Sequence, residues 1–315
     1  MDRSVKGKTA IVTGAGSGIN LCFVQQLLEN GCNCLIADLA LRPEAQELVK
    51  KYSSSTPRAV FQETDVTDWA HLERMFDVAE KEFGEIDIVC PGAGIFEPKF
   101  SSFWYPPGSP ESKDSPSGSR YALIDVNIVH PIRTTQLAIS RFANAKTPKT
   151  IIHCCSIAAQ GANFSLPTYM ASKHAISGFV RSLAKLDQIG IRVAAVAPGY
   201  IKTPLWTDSP DKMVMIREDK EWVTPEDVAT VMLALVEKEE IHESFLDRSK
   251  PNEGARITIE GGAVVEVSKS VRKVGLFNDP GPVGRAGNNK GSAVETDAGF
   301  LKMIQSGTWG KPGAN

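Results

Sequence analysis

Tyr169 and Lys173, four residues apart, are the first pairing in this sequence that could do chemistry. On a helix that spacing puts both side chains on one face. A free tyrosine titrates near ~10, too high for an efficient base at neutral pH. A lysine cation beside the ring favours the phenolate, and a cationic cofactor ring would act the same way. Such a pair could take a proton from an alcohol oxygen and return it. Ser156 closes a strand-like run upstream and could hold that oxygen while charge develops on it. Each residue also has an ordinary reading. The Tyr-x-x-x-Lys spacing is frequent in helices, and a serine can simply cap a strand.

A second cluster could hold phosphate. Thr13-Gly14-Ala15-Gly16-Ser17-Gly18-Ile19 follows a strand-like run and opens a helical one. Small residues let the backbone approach a pyrophosphate, and a helix N-terminus offers free N–H groups with a positive dipole end. Glycine in a tight turn is ordinary taken alone. Asp38, however, closes the next strand-like run 20 residues after Gly18. A carboxylate there can accept from the hydroxyls of an adenosine ribose. The same carboxylate would repel a 2′-phosphate. Its neighbours Ser17 and Leu39 are uncharged, and Arg42, the one basic candidate, could equally face solvent. NAD is therefore expected rather than NADP.

The elements that must position these residues alternate. Strand-like runs fall at 9–13, 33–37, 59–63, 86–90, 150–155, 191–197 and 256–259. Several are apolar throughout, as in parallel strands covered on both faces. Helical patterns fall between them at 19–30, 43–52, 68–83, 122–142, 168–189 and 225–238. This alternation predicts a doubly wound α/β fold with a mainly parallel sheet of seven strands. Residues 5–268 are expected to form the catalytic domain and 269–315 a C-terminal extension. Nine of the 41 residues from Gly275 to Asn315 are glycine, so no independent core is expected there. Residues 98–119, rich in proline, serine and aromatic side chains, form a long loop, and long loops in compact domains tend to be functional or disordered.

Composition narrows the partners. The chain has 315 residues, 42% hydrophobic and 23% charged, with a net charge of −2. No basic patch suggests nucleic acid. No apolar run approaches the ~20 residues of a membrane span, and the N-terminus has no signal-like apolar core. The six cysteines lie mostly in apolar runs, and the Cys32, Cys34 spacing fits strand alternation better than a zinc site. They are expected to be reduced, in the cytoplasm.

The motifs together resemble the short-chain dehydrogenase/reductase family. The matching residues are the glycine-rich turn, Asp65-Val66, Ala93-Gly94, Asn127, Ser156, Tyr169-Met-Ala-Ser-Lys173 and Pro198-Gly199, in the family's order and spacing from about Val5 to Val267. The resemblance implies a doubly wound Rossmann fold and an NAD-dependent oxidoreductase that interconverts a secondary alcohol and its ketone. It implies a tetrad in which Tyr169 is the acid/base. Lys173 would bind the nicotinamide ribose and tune Tyr169, Ser156 would polarise the substrate oxygen, and Asn127 would hold a water linking Lys173 to solvent. Asp65 and Val66 would flank adenine, and Ile201 and Thr203 would contact the carboxamide. Gly14, Gly16, Ser17, Gly18, Ile19, Asp38, Ala93, Gly94, Pro198 and Gly199 complete the expected cofactor site. Glu260-Gly261-Gly262 looks like the family's closing strand motif, and residues 156–205 are similar to the prostaglandin- and polyketide-alcohol dehydrogenase branch. A hydrophobic small-molecule substrate and a homodimer or homotetramer are expected.

Three features depart from the pattern. Asn20 stands where the family has the last glycine of its first motif. Pro91-Gly92-Ala93-Gly94 stands where it has Asn-Asn-Ala-Gly. Pro91 cannot donate a backbone hydrogen bond, so that strand is not expected to have its usual polar support. The loop before Asn127 and the tail after Val267 are longer than usual. Among other residues, His153 in mid-strand reads as packed or hydrogen-bonded. Trp206, Met213 and Met215 read equally as a substrate lid or as core, and Gln160 and Asn163 as substrate contacts or loop polar groups. Two other functions compete with an alcohol dehydrogenase. One is an NAD-binding regulatory protein, whose signature would be loss of Tyr169, Lys173 or Ser156. The other is an enzyme drifted to non-redox chemistry.

Overall fold

Six of the seven strand-like runs become parallel strands of one sheet, and the seventh does not. The computed structural model describes residues 2–208, 223–276, 294–307, 309 and 310. The six are β1 (Thr9–Thr13), β2 (Asn33–Asp38), β3 (Ala59–Glu63), β4 (Ile88–Cys90), β5 (Lys149–Cys154) and β6 (Ile191–Pro198). The run at 256–259 instead gives β8 (Arg256–Thr258), antiparallel to β7 (Glu240–His242) in a separate two-stranded ribbon. Only its middle residue is buried, which suits a ribbon covered on one side. The closing parallel strand is β9 (Val264–Val267), which pairs with β6 and is largely buried. An antiparallel edge strand, β10 (Val271–Lys273), brings the sheet among the described residues to eight strands, one more than expected, in the order β10-β9-β6-β5-β4-β1-β2-β3.

Side chains alternate across each strand and feed two cores. Val12 and Ile36 face α1 (Gly18–Glu29) and α8 (Pro225–Glu237), where Phe23, Leu27, Met232 and Leu235 cover them. Ile11, Leu35 and Ile151 face α3 (Trp69–Phe83), α5 (His130–Phe142) and α6 (Pro167–Ser182), under Leu72, Phe76, Leu137 and Ile176. Each fully buried large aliphatic side chain is worth about 1.5–3 kcal/mol against exposure. Helix α2 (Pro43–Lys51) lies between β2 and β3 in sequence, and the short α7 (Pro204–Thr207) follows β6. The expected helix over 122–142 is interrupted: α4 (Ala122–Ile124) runs into a π turn at Asp125–Val129 before α5 begins. The Asp68 carboxylate accepts from the Ala70 N–H at the start of α3, and Thr224 and Asp227 form a capping box on α8.

β1 pairs with β2 on one side and β4 on the other. The chain runs outward to β3 and then returns across β1, so a crevice opens at the carboxyl ends of β1 and β4. The described residues beyond 268 pack against this body. Besides β10, helix α9 (Val294–Gln305) presents Ile304, buried with Val274 in the second core, and Trp309 packs nearby. The Ser140 hydroxyl donates to the Trp309 carbonyl at 3.0 Å. No helix of the described residues is long and apolar enough to cross a membrane.

Candidate active site

A cavity of about 630 Å³ opens at the crevice. On its wall lie Gly14, Ser17, Gly18 and Ile19 from the first turn, Asp38, Asp65 and Val66 from the next two strand ends, and Ala93 and Gly94 after β4. Pro198, Gly199, Ile201 and Thr203 also line it, together with Ser156, Tyr169 and Lys173. Two expected residues, Gly16 and Asn127, are not among its lining residues.

Two positions of the turn after β1, Gly14 and Gly16, have no room for a side chain. Gly14 has φ +70°, and a Cβ on it would sit 2.6 Å from Ala93 Cα. A Cβ on Gly16 would sit 2.2 Å from the Ala40 carbonyl oxygen. No side chain caps the N-terminus of α1 at Ser17, so the first N–H groups of the helix stay open to an anion. Asp38 accepts from the Gly16 N–H at 2.8 Å and from its neighbour Leu39 N–H at 2.7 Å. These bonds hold the carboxylate at the end of β2, on the cavity wall. Arg42, half-exposed, pairs with Asp208. Asp65 accepts from the backbone and hydroxyl of Thr67, at 2.9 and 2.8 Å. The cradle, the open helix end and Asp38 together fit a dinucleotide.

Thr13, at the end of β1, organises the next segment. Its hydroxyl oxygen accepts from the Ala93 N–H at 3.2 Å and lies 3.0 Å from His130 Nε2. His130 Nδ1 faces the Val126 carbonyl at 3.1 Å, which assigns the proton to Nδ1 and makes Nε2 the acceptor. Burial lowers the His130 pKa to about 4, so the ring is neutral. Asn127, inside the π turn, donates to the Ile95 carbonyl and the Ser172 hydroxyl and accepts from the Ile95 N–H. Both of its amide protons are committed, one to the segment after β4 and the other to Ser172 on α6.

Tyr169 and Lys173 come from the first turns of α6, which Pro167 opens. Lys173 Nζ lies 5.6 Å from the Tyr169 ring centre and donates to the Cys154 carbonyl at 2.9 Å. The Ser156 hydroxyl oxygen accepts from the Ala158 N–H at 3.1 Å, capping a short 3-10 turn at Ile157–Gln160. Ser156 thus has its ordinary capping role as well, and its own O–H remains available to the cavity. One edge of the Tyr169 ring meets Phe96, with centres 4.7 Å apart at 84°. Phe96 in turn lies 4.5 Å from Trp206.

Sequence reasoning missed Glu97. It is buried at 2% exposure with φ +39°, and accepts from the Tyr169 N–H at 2.7 Å. Its other oxygen accepts from the Ser102 hydroxyl and the Phe103 N–H, at 3.2 and 3.1 Å. The long loop is thereby tied to the backbone of the central tyrosine. Trp104 Nε1 also donates to the Phe164 carbonyl, at 2.9 Å. An acid among aromatics was the only signal in the sequence, and it does not say which N–H groups the acid will meet.

The remaining candidates divide. His153 bonds Thr135 at 3.2 Å and lies off the cavity wall; burial pushes its pKa down to about 3. Gln160 turns to Glu266 and Arg272 instead of the cavity. Asn163 lines the cavity, and Trp206 is a buried part of its wall. Met213 and Met215 lie outside the described residues.

Known proteins share both sequence and fold. A diacetyl reductase ((S)-acetoin forming) of Staphylococcus epidermidis is 30% identical over 219 residues, covering 68% of this chain and 79% of that protein. An NADP-dependent (R)-specific alcohol dehydrogenase of Lentilactobacillus kefiri is 29% identical over 270 residues, covering 83% and 98%. The crystal structure of a short-chain type dehydrogenase/reductase from Mycobacterium marinum superposes with a TM-score of 0.65 at 22% identity, covering 85% of this chain and 96% of that one. The model of the short chain dehydrogenase family matches residues 8–213, well over half of the sequence, and the chain belongs to that family.

Proposed function

We propose that the protein is an NAD-dependent oxidoreductase that interconverts a hydrophobic secondary alcohol and its ketone. The observation that carries this reading is one cavity wall holding Ser156, Tyr169 and Lys173 together with the glycine-rich turn and Asp38. The chemistry a bound nicotinamide supplies is hydride acceptance in one direction and donation in the other. The chain's own residues handle the oxygen and its proton. In oxidation the Tyr169 oxygen takes the alcohol proton while the Ser156 hydroxyl holds the oxygen that becomes the carbonyl. In reduction the Tyr169 hydroxyl returns that proton. Lys173 keeps a cation beside the phenolate. Asn127 keeps the Ile95 segment in register with α6 through Ser172.

Phe96, Leu166, Met170, Leu205 and Trp206 form the apolar side of the cavity next to Tyr169. They favour a bulky apolar substituent on the reacting carbon. Asp38 at the ribose position, with Arg42 engaged by Asp208, supports NAD over NADP. The relative from Lentilactobacillus kefiri is named NADP-dependent, so cofactor choice is the point to test. The reading also places the enzyme in the cytoplasm, in keeping with six free cysteines, and as a homo-oligomer.

The test mixes protein with NAD⁺ or NADP⁺ and a panel of secondary alcohols and follows absorbance of the reduced cofactor. Turnover with NAD⁺, greatest for bulky apolar alcohols, is expected. Equal or better use of NADP⁺ would overturn the cofactor assignment and implicate Arg42. No turnover of any alcohol or ketone, with cofactor bound, would favour the regulatory alternative.

A further inference from the structure

Two departures from the family pattern meet in space. Asn20 sits in the first turn of α1, where that pattern has glycine, and Gly92 follows β4, where it has asparagine. Asn20 is 8% exposed. Its Nδ2 donates to the Gly92 carbonyl at 2.9 Å and to the Gly14 carbonyl at 3.4 Å. Its Oδ1 accepts from the Cys154 thiol at 3.4 Å. One side chain therefore ties together the ends of β1, β4 and β5.

Gly92 leaves the space this requires. A Cβ there would lie 2.5 Å from Asn20 Oδ1 and 2.6 Å from Nδ2, closer than side chains tolerate. Asn20 thus occupies the volume that a side chain at 92 would fill. Pro91, just before, has no N–H to hold the end of β4. The Asn20 amide supplies a polar fastening from the helix side instead. It bridges carbonyls on both sides of the point where Gly14 touches Ala93, and both turns line the cofactor cavity.

We propose that Asn20 and Gly92 are a reciprocally exchanged pair, in which the amide that fastens the end of β4 has moved onto α1 and Asn20 positions the Gly14 turn and the Ala93–Gly94 segment for the dinucleotide. Asn20 acts through these turns, so it is a positioning residue. The inference rests on the reading that the crevice takes NAD(H), and on nothing about the substrate.

The test is a double-mutant cycle read by NADH fluorescence titration and by melting temperature. Asn20→Gly and Gly92→Asn are each expected to weaken NADH binding about tenfold, the first by orphaning buried carbonyls and the second by collision. The double variant Asn20→Gly/Gly92→Asn should recover most of that loss. The kinetic defect of each single variant should fall on the cofactor KM more than on kcat. NADH affinity unchanged in Asn20→Gly, or a double variant no tighter than the weaker single one, would overturn the proposal. Should Gly92→Asn fail to fold, Asn20→Ala carries the test, because it removes the amide without adding volume. Wild-type affinity in that variant sinks the positioning role. If the wild-type protein bound no NADH, the cofactor reading and the positioning role would both fall, while the melting temperatures would still report the exchange itself.

Discussion

The two edges of the main sheet use polar groups in opposite ways. At the amino edge, buried cations are paired with carboxylates, Asp87 among them buried as well. Lys149, 1% exposed, reaches Glu85 and Asp87, both at 2.8 Å. Asp87 also takes Lys8 at 3.3 Å and the Thr9 N–H at 3.1 Å. Arg192 at the start of β6 bonds Glu239 at 2.8 Å and the carbonyls of Leu235 and Lys238. At the carboxyl edge, Asp38, Ser156 and Lys173 are held by backbone groups instead, with capacity left over for a ligand. A buried charge with a partner stiffens a structure, whereas a charge oriented by amides and carbonyls can still bind. The same strands therefore provide a closed end and an open one.

The comparison breaks most visibly at Tyr169. Tyr169→Phe should cut turnover by about 10²–10⁴-fold, the usual worth of general acid–base catalysis, and leave NADH affinity close to normal. Most of the activity surviving in a folded variant would mean that the proton travels through another group. Lys149→Met should do the converse. It leaves Asp87 buried with less charge compensation, and losing one partner of a buried pair costs about 3–5 kcal/mol of stability. Denaturant unfolding should report that loss while kcat/KM at a permissive temperature stays near wild type. A kinetic defect without a stability defect would show that the amino edge is not merely structural.

Acid should sharpen the contrast. His130 and His153 are buried beneath the carboxyl half of the sheet, and burial depresses their pKa values to about 4 and about 3. An unfolded histidine titrates near ~6.5, so below that pH the unfolded chain binds protons that the native state refuses. The stability is complete above about 6.5 and falls with pH, by about 2 kcal/mol for each group at pH 5. Urea unfolding at pH 7, 6 and 5 should show the decline, and His153→Gln should flatten it. An unchanged slope in that variant would mean the ring takes up its proton without unfolding.

Much of the carboxyl edge was legible because its chemistry is local in sequence. The glycine-rich turn, the Tyr169–Lys173 spacing and Asp38 each sit at a strand or helix end that periodicity locates. The seventh strand was misplaced because Arg256–Thr258 and Val264–Val267 are both short and β-branched. Only tertiary burial distinguishes a ribbon from a sheet strand. The π turn around Asn127 left no mark in the hydrophobic pattern, since one extra residue in a helix barely shifts its apolar face. Asn20 and Pro91 were visible as anomalies. Their relation was not, because 72 residues separate Asn20 from Gly92.

Glu97 offers the smallest effect and the finest test of the open edge. Its carboxylate fastens the Tyr169 N–H on one side and the long loop on the other. The Tyr169 N–H belongs to the first turn of α6, where the helix itself provides no acceptor. Glu97→Ala should free that turn and let the loop drift, misplacing the Tyr169 oxygen slightly. A misplacement of this kind should lower kcat about tenfold, since proton transfer depends steeply on geometry. NADH affinity should hold, because the glycine-rich turn and Asp38 lie on other strands. Glu97→Gln keeps one oxygen to accept the Tyr169 N–H and should recover part of the rate. If both variants lost NADH binding in proportion to rate, Glu97 would be supporting the whole crevice. If neither lost rate, the long loop would be covering the site without ordering it.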